Sequence, residues 1–291
     1  MACFFVFDKE ASAELNNNIG LANAYATQLA TLASRYTAHA NIRITNAGVE
    51  LWTNQDRIPF TVGTDVYSAM PNFVTQFQTY LNNTQASLFG KTYAVGVLLS
   101  NKTIVQGGYS QGPPCTTAGQ LFFSRRTQSI SKNSFLGTSL INFRPVPWQI
   151  AGLLAHELAH TLSVVHPFEL SYLCQSFPGL DFCRTPNSIP AECLCQSNEF
   201  PAQQCLMTFA FGRANAAAPR YTSCDIQMMN YFSSNLPCLI KVRLFMEQFF
   251  FNSSSSFSKI HSLKNKTCPE FFVFILVWCY FIHHLFNKRF I

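Results

Sequence analysis

Four residues in one short segment combine the side chains of a metal centre with those of an acid–base catalyst: His156, Glu157, His160 and His166. On a helix, His156 and His160 lie about one turn apart on one face, where both imidazoles can reach a Zn²⁺ at roughly 2.0–2.1 Å. Glu157 follows the first histidine and can reach a water molecule on that ion. The chain must turn after Leu162 to bring His166 back as a third ligand.

This set of side chains predicts hydrolytic chemistry. Three neutral imidazoles leave the fourth tetrahedral position of zinc to water, which is the pattern of a catalytic rather than a structural site. Zinc lowers the pKa of such a water to about 7. Glu157 would accept its proton as general base and then give it to the leaving amine. The alternative is an ordinary amphipathic helix with surface histidines, but the apolar stripe of this helix favours histidines held in fixed rotamers.

The elements around this segment predict an α/β layered domain of about 240 residues. Strands are predicted at 3–7, 42–52, 93–99 and 121–130, and helices at 10–36, 65–81, 147–164 and 225–232. The stretch 167–224 is rich in cysteine and is predicted to be irregular backbone held by disulfides.

Cysteine usage indicates an oxidising compartment. Seven of the eleven cysteines lie between Cys174 and Cys238, and none forms a pair with zinc-finger spacing, so disulfides are the better interpretation. Asn-x-Ser/Thr motifs agree with a secreted glycoprotein; they begin at Asn82, Asn101, Asn252 and Asn265. No signal peptide opens the sequence, and we expect that this chain lacks its signal and pro-segment.

Composition changes after residue 240. The formal net charge is +6, but residues 1–240 are close to neutral, so nucleic acid is not an expected partner. Residues 241–291 form a tail rich in phenylalanine with a low-complexity serine run. It is either an extension that is not natural coding sequence or a marginal membrane segment at 271–287, and membrane association depends on that segment alone. We expect a monomer.

The pattern His156-Glu157-x-x-His160-x-x-Ser163-x-x-His166 resembles the extended zinc motif of the metzincin proteases. Three further segments resemble the reprolysin or adamalysin branch, which occurs in venoms, ADAM proteins and arthropod salivary secretions. They are Cys205-Leu206-Met207, similar to the Met-turn; 221–224 with 237–240, similar to the C-terminal signature; and 49–56, similar to an early strand. The resemblance covers about residues 4–240.

The resemblance implies a metzincin-like mixed twisted sheet with long helices, an active-site helix that ends at a turn, and a disulfide-held C-terminal subdomain. It implies a zinc endopeptidase acting on proteins or peptides, with Met207 as an apolar floor under the ligands. By the same analogy, an edge strand around 104–110 pairs with an extended substrate. The implied disulfides are Cys115–Cys238, Cys193–Cys224 and Cys195–Cys205, with Cys174–Cys183 as a local extra pair.

Two positions depart from the family pattern. Ser163 stands where the family has glycine, and its turn geometry costs a serine about 1 kcal/mol or more. Pro167 stands where the family usually has aspartate, so we expect the support of that carboxylate to be lost. These departures leave a second function open, that of a secreted zinc-binding protein with little or no activity that serves as a binding module.

Overall fold

Apolar runs form the centre of a five-stranded sheet. The strands β1 (Ala2–Phe7) and β3 (Val95–Ser100) are buried along almost their whole lengths, as parallel strands covered on both faces should be. The sheet order is β2–β1–β3–β7–β4, with β2 at Thr45–Leu51 and β7 at Gly137–Asn142. The first four strands are parallel, whereas β4 (Gly108–Gln111) runs antiparallel to β7 and is the last strand in this order.

The computed structural model describes residues 1–58, 66–85, 94–102, 107–111, 122–124, 129–131, 137–184, 189–196, 204–208 and 219–234. The chain divides into two units, Met1–Ile240 and Lys241–Ile291, and every described residue lies in the first. The predicted membrane segment at 271–287 lies outside these ranges. Within them, no helix is both long enough and apolar enough to cross a membrane.

Six helices and one further hairpin complete the described part. The helices are α1 (Lys9–Glu14), α2 (Ile19–Thr37), α3 (Val66–Gln85), α4 (Trp148–Thr161), α5 (Leu170–Ser176) and α6 (Ser223–Ser233). The hairpin pairs β5 (Phe122–Ser124) with β6 (Ser129–Ser131). The strands predicted at 3–7, 42–52 and 93–99 are present. The single strand predicted at 121–130 is wrong, because Phe122–Ser124 and Ser129–Ser131 pair as two antiparallel strands. Helix α5 lies within the stretch that was predicted to be irregular.

The single helix predicted at 10–36 is wrong, because the chain leaves the helical conformation between α1 and α2. Asn16 and Asn17 both have left-handed backbone, with φ of 55° and 52°, which asparagine tolerates better than most residues. Asn18 then caps α2 by accepting hydrogen bonds from the N–H groups of Gly20 and Leu21. The apolar spacing continues through the break, so it could not reveal it.

The two faces of the sheet pack into two separate cores. Side chains of β1 alternate between them: Phe5 and Phe7 join the core under α2 and α4, whereas Phe4 and Val6 join the core under α3. Helix α4 is buried from Leu154 to its end, so its side chains are fixed by packing on several sides. The predicted α/β class, with a mixed sheet and a buried helix ending at a turn, is confirmed.

Disulfides hold the segments that follow α4. The structure contains Cys174–Cys183, Cys193–Cys224 and Cys195–Cys205, three of the pairs that the resemblance implied. The disulfide Cys193–Cys224 joins the loop near residue 193 to α6, and Cys195–Cys205 joins that loop to the segment at 204–208. Cys115 and Cys238 lie outside the described residues.

Candidate metal centre

The end of α4 is a tight turn with a serine in left-handed conformation. Ser163 has φ of 64° and donates its N–H to the carbonyl of His160, while the N–H of Val164 bonds to the carbonyl of Ala159. These two bonds define a Schellman motif, whose left-handed position is usually glycine. Ser163 therefore adopts the conformation that the sequence required of it, and the chain turns back toward the helix.

The turn brings together the three predicted ligands. The Nε2 atoms of His156 and His160 are 3.0 Å apart, those of His160 and His166 are 3.2 Å apart, and those of His156 and His166 are 3.4 Å apart. All three rings are buried. Ligands about 2.05 Å from a tetrahedral zinc ion lie about 3.3 Å from each other, so this triangle is close to the size that zinc requires.

The opposite nitrogen of each ring faces a hydrogen-bond acceptor. Nδ1 of His156 lies 2.6 Å from the carbonyl oxygen of Leu206, and Nδ1 of His160 lies 2.7 Å from that of Val164. Nδ1 of His166 lies 3.2 Å from Oε2 of Glu169. A carbonyl oxygen only accepts, so Nδ1 carries the proton and the lone pair of Nε2 is left for a metal. Three such nitrogens are a donor set that fits a divalent transition metal. Among the described residues, these three histidines form a cluster of possible metal ligands.

The acceptor for His156 comes from a short segment fifty residues further along the chain. Leu206 and Met207 are completely buried, and the N–H of Leu206 bonds to the carbonyl of Arg220. The disulfide Cys195–Cys205 ties down the residue before Leu206. Met207 also lines an open cleft of about 190 Å³ together with His166. Its role as the floor of the site stays a prediction.

The acceptor for His166 is a residue that the sequence analysis missed. Pro167 removes the aspartate usual at that position, but Glu169 places a buried carboxylate against the same histidine two residues further on. The aspartate at position 167 is absent as expected, and Glu169 supplies a different carboxylate to this ring. A signal was present: Glu169 stands three residues after His166, the spacing of a capping box, with proline at the first position of the turn.

Glu157 is buried between α4 and the end strand of the sheet. A Cβ atom built on Gly108 would come within 2.8 Å of both Cγ and Oε1 of Glu157. The carboxyl group thus lies against the backbone of β4, in space that exists because residue 108 has no side chain. Gly107, the residue before it, has φ of 82° and packs on Leu153 of the same helix. The part of the predicted edge strand at 104–106 lies outside the described residues.

Two other buried groups stabilise this half of the molecule. The hydroxyl of Tyr221 donates to the carbonyl of Ala155 in α4 at 2.7 Å, and burial raises its pKa well above the usual value. Asp225 closes a capping box at the start of α6 by accepting from the N–H of Thr222. Burial raises the pKa of Asp225 to about 7, although its bonds to Thr222 act in the opposite direction.

A family model for the reprolysin-type metallopeptidases of family M12 matches residues 1–233. This chain belongs to that family. The match spans the sheet, the histidine triangle and the disulfide-held segments. The chain is therefore a member of a metallopeptidase family. No curated protein sequence matches the chain.

Two solved structures show a distant resemblance to this M12 chain. A zinc-dependent peptidase from Methanocorpusculum labreanum is 8% identical, with a TM-score of 0.33; the match covers 78% of this chain and 99% of that one. A chaperone–substrate complex is 11% identical, with a TM-score of 0.36; that match covers 57% of this chain and only 24% of the other, so the chain spans about a quarter of that protein. The family assignment rests on the sequence model.

Proposed function

We propose that this chain is an active zinc-dependent endopeptidase that cleaves peptide bonds with Glu157 as general base. The observation that carries this proposal is the triangle of Nε2 atoms at 3.0–3.4 Å, each ring held by an acceptor at Nδ1. His156, His160 and His166 would hold the ion. A bound Zn²⁺ would supply a Lewis acid at this position.

The chain's own residues would do the rest of the chemistry. Glu157 accepts a proton at a carboxylate oxygen from the attacking water and delivers it to the leaving amine. Its burial between α4 and β4 limits the positions that its carboxylate can take, so the proton acceptor is oriented in advance. An extended peptide would add to the outer side of β4 by backbone hydrogen bonds, since β4 ends the sheet order.

The departures from the family pattern do not favour the inactive alternative. Ser163 takes the left-handed turn, and Glu169 gives His166 a carboxylate neighbour. Both features support a site in which the three histidines keep the arrangement needed to bind zinc.

Secretion is part of the same proposal. Three disulfides among the described residues support an oxidising compartment. Asn101, which begins one of the acceptor motifs, is exposed, as a glycosylated asparagine must be.

The test is a pair of measurements on the full chain and on Glu157→Gln. The parent should bind one zinc ion and cleave a panel of peptides, and a chelator should abolish cleavage. Glu157→Gln keeps the size of the side chain but removes its basicity, so it should bind zinc and lose cleavage by on the order of 10²–10⁴-fold. The control is Glu14→Gln, an exposed glutamate, which should cleave like the parent. A parent that binds zinc but cleaves nothing would identify the binding module instead.

A further inference from the structure

We propose that Glu169 is a positioning residue for the metal site: its carboxylate holds the imidazole of His166 with Nε2 directed at the ion. The inference rests on the proposed function, because it concerns the third ligand of the proposed zinc ion. The side chains of His166 and Glu169 are 2% and 6% exposed, so water competes little for either group.

One carboxylate oxygen fixes both the backbone and the ring of His166. Oε2 of Glu169 accepts a hydrogen bond from the His166 N–H at 2.8 Å and lies 3.2 Å from Nδ1 of the same residue. The first contact is half of a capping box around a single 3₁₀ turn, Pro167–Glu169. The second contact is not required for capping. A single group thus restrains the main chain of the ligand and the direction of its ring.

His166 needs this restraint more than the other two ligands. His156 and His160 lie on α4, whose packing fixes their backbone, whereas His166 lies beyond the helix end, in extended conformation. Phe168 stacks on the His166 ring with 5.2 Å between centroids, but 63% of its surface is exposed. The buried carboxylate is therefore the firmer of the two contacts.

The chemistry of the acceptor also distinguishes this ring. His156 and His160 face carbonyl oxygens, which are neutral, whereas His166 faces a carboxylate. A charged acceptor forms a stronger hydrogen bond and makes the imidazole a more basic ligand. Partners of this kind typically affect metal affinity by roughly 10–100-fold when they are removed.

The experiment compares zinc affinity with the stability of the zinc-free protein in Glu169→Gln, using the full chain and competition with a chromophoric chelator. We expect the dissociation constant for zinc to rise by roughly 10–100-fold. The matched control is Asp225→Asn. Asp225 is also a buried carboxylate that closes a capping box with a 2.8 Å bond, but it contacts none of the three ligands. Its variant should bind zinc like the parent.

The outcomes separate positioning from capping. Unchanged zinc affinity in Glu169→Gln, with or without lower stability, would overturn the inference while leaving the zinc site intact. Equal losses of affinity in Glu169→Gln and Asp225→Asn would overturn it as well, because a general effect on folding would explain both. A parent that binds no zinc would overturn the inference and the proposed function together.

A second variant covers the case in which Glu169→Gln does not fold. Aspartate closes the capping box of α6, so Glu169→Asp should still cap its turn while its carboxylate is withdrawn from the ring by one methylene. We expect a folded protein with weakened zinc binding. Parental affinity in Glu169→Asp would contradict the positioning role.

Discussion

The carboxyl group of Glu157 lies against Gly108 and occupies the space that a Cβ atom on residue 108 would need. The ideal Cβ position at residue 108 is 2.8 Å from Cγ and Oε1 of Glu157 and 3.0 Å from its Cδ. The end strand of the sheet is thereby fitted to the side chain proposed as general base. Gly108 is neither a metal ligand nor a charged residue, yet the position of Glu157 requires it.

Gly108→Ala should therefore displace Glu157 and slow cleavage. Misplacement of a catalytic group by about 1 Å can cost on the order of 10²-fold in rate. Zinc affinity should stay at the parental value, because the three atoms nearest to the new methyl group all belong to Glu157 and not to a ligand. Gly179→Ala is the control, since a Cβ at residue 179 would meet nothing within 4 Å. Equal rates in the two variants would show that Glu157 has room to adjust.

Ser163→Gly should stabilise the protein by about 1 kcal/mol, because glycine reaches positive φ without the penalty that a side chain incurs. Urea denaturation of the zinc-free chain measures the effect. Ser163→Ala separates the backbone from the hydroxyl: alanine keeps the conformational penalty, so this variant should show no such gain. If alanine stabilises as much as glycine does, the strain lies elsewhere.

Loss of the disulfide Cys195–Cys205 should weaken zinc binding through Leu206, whose carbonyl faces Nδ1 of His156. Replacing both cysteines with serine frees the residue next to that carbonyl. The double variant of Cys174–Cys183 is a matched control, because the two pairs close loops of nearly equal sequence separation, 10 and 9 residues. Both variants should lose similar stability, since similar loops are opened in the unfolded chain. Only the first should bind zinc less tightly.

Asp225 should make stability depend on pH in a definite direction. Burial raises its pKa to about 7 in the folded chain, above the value of about 3.9 expected when unfolded. The folded state therefore binds the extra proton, and the contribution of this group to stability decreases as pH rises from about 4 to about 7. The free energy of unfolding of the parent minus that of Asp225→Asn isolates this effect from the histidines. A difference that is flat over this range would show an ordinary carboxyl group.

The sequence predicted those features that local pattern determines. Apolar runs marked β1 and β3, and the four-residue spacing of His156 and His160 placed them on one helix face. A third ligand at His166 requires that the chain turn after the helix, and the turn occurs at Ser163.

Features that depend on distant contacts or on a choice between similar local states were not predictable in this way. The carbonyl that faces His156 belongs to Leu206, fifty positions away. Every residue has a backbone carbonyl, so the sequence does not indicate which one makes this contact. The family pattern places a carboxylate directly after the third histidine, where this chain has Pro167, so that pattern does not point to Glu169. The apolar spacing around Asn16 and Asn17 is compatible with a continuous helix, but asparagine also tolerates the left-handed conformation that interrupts one. Tertiary packing determines which of the two conformations forms.

The acceptor for the first ring is synthesised long after the ring itself. A nascent chain emerging from a ribosome carries all three histidines some forty residues before Leu206 follows. During that interval the carbonyl that faces Nδ1 of His156 is absent, so this contact forms only after the later, disulfide-linked segment has docked. The three rings therefore reach their full set of contacts only after synthesis has passed residue 206.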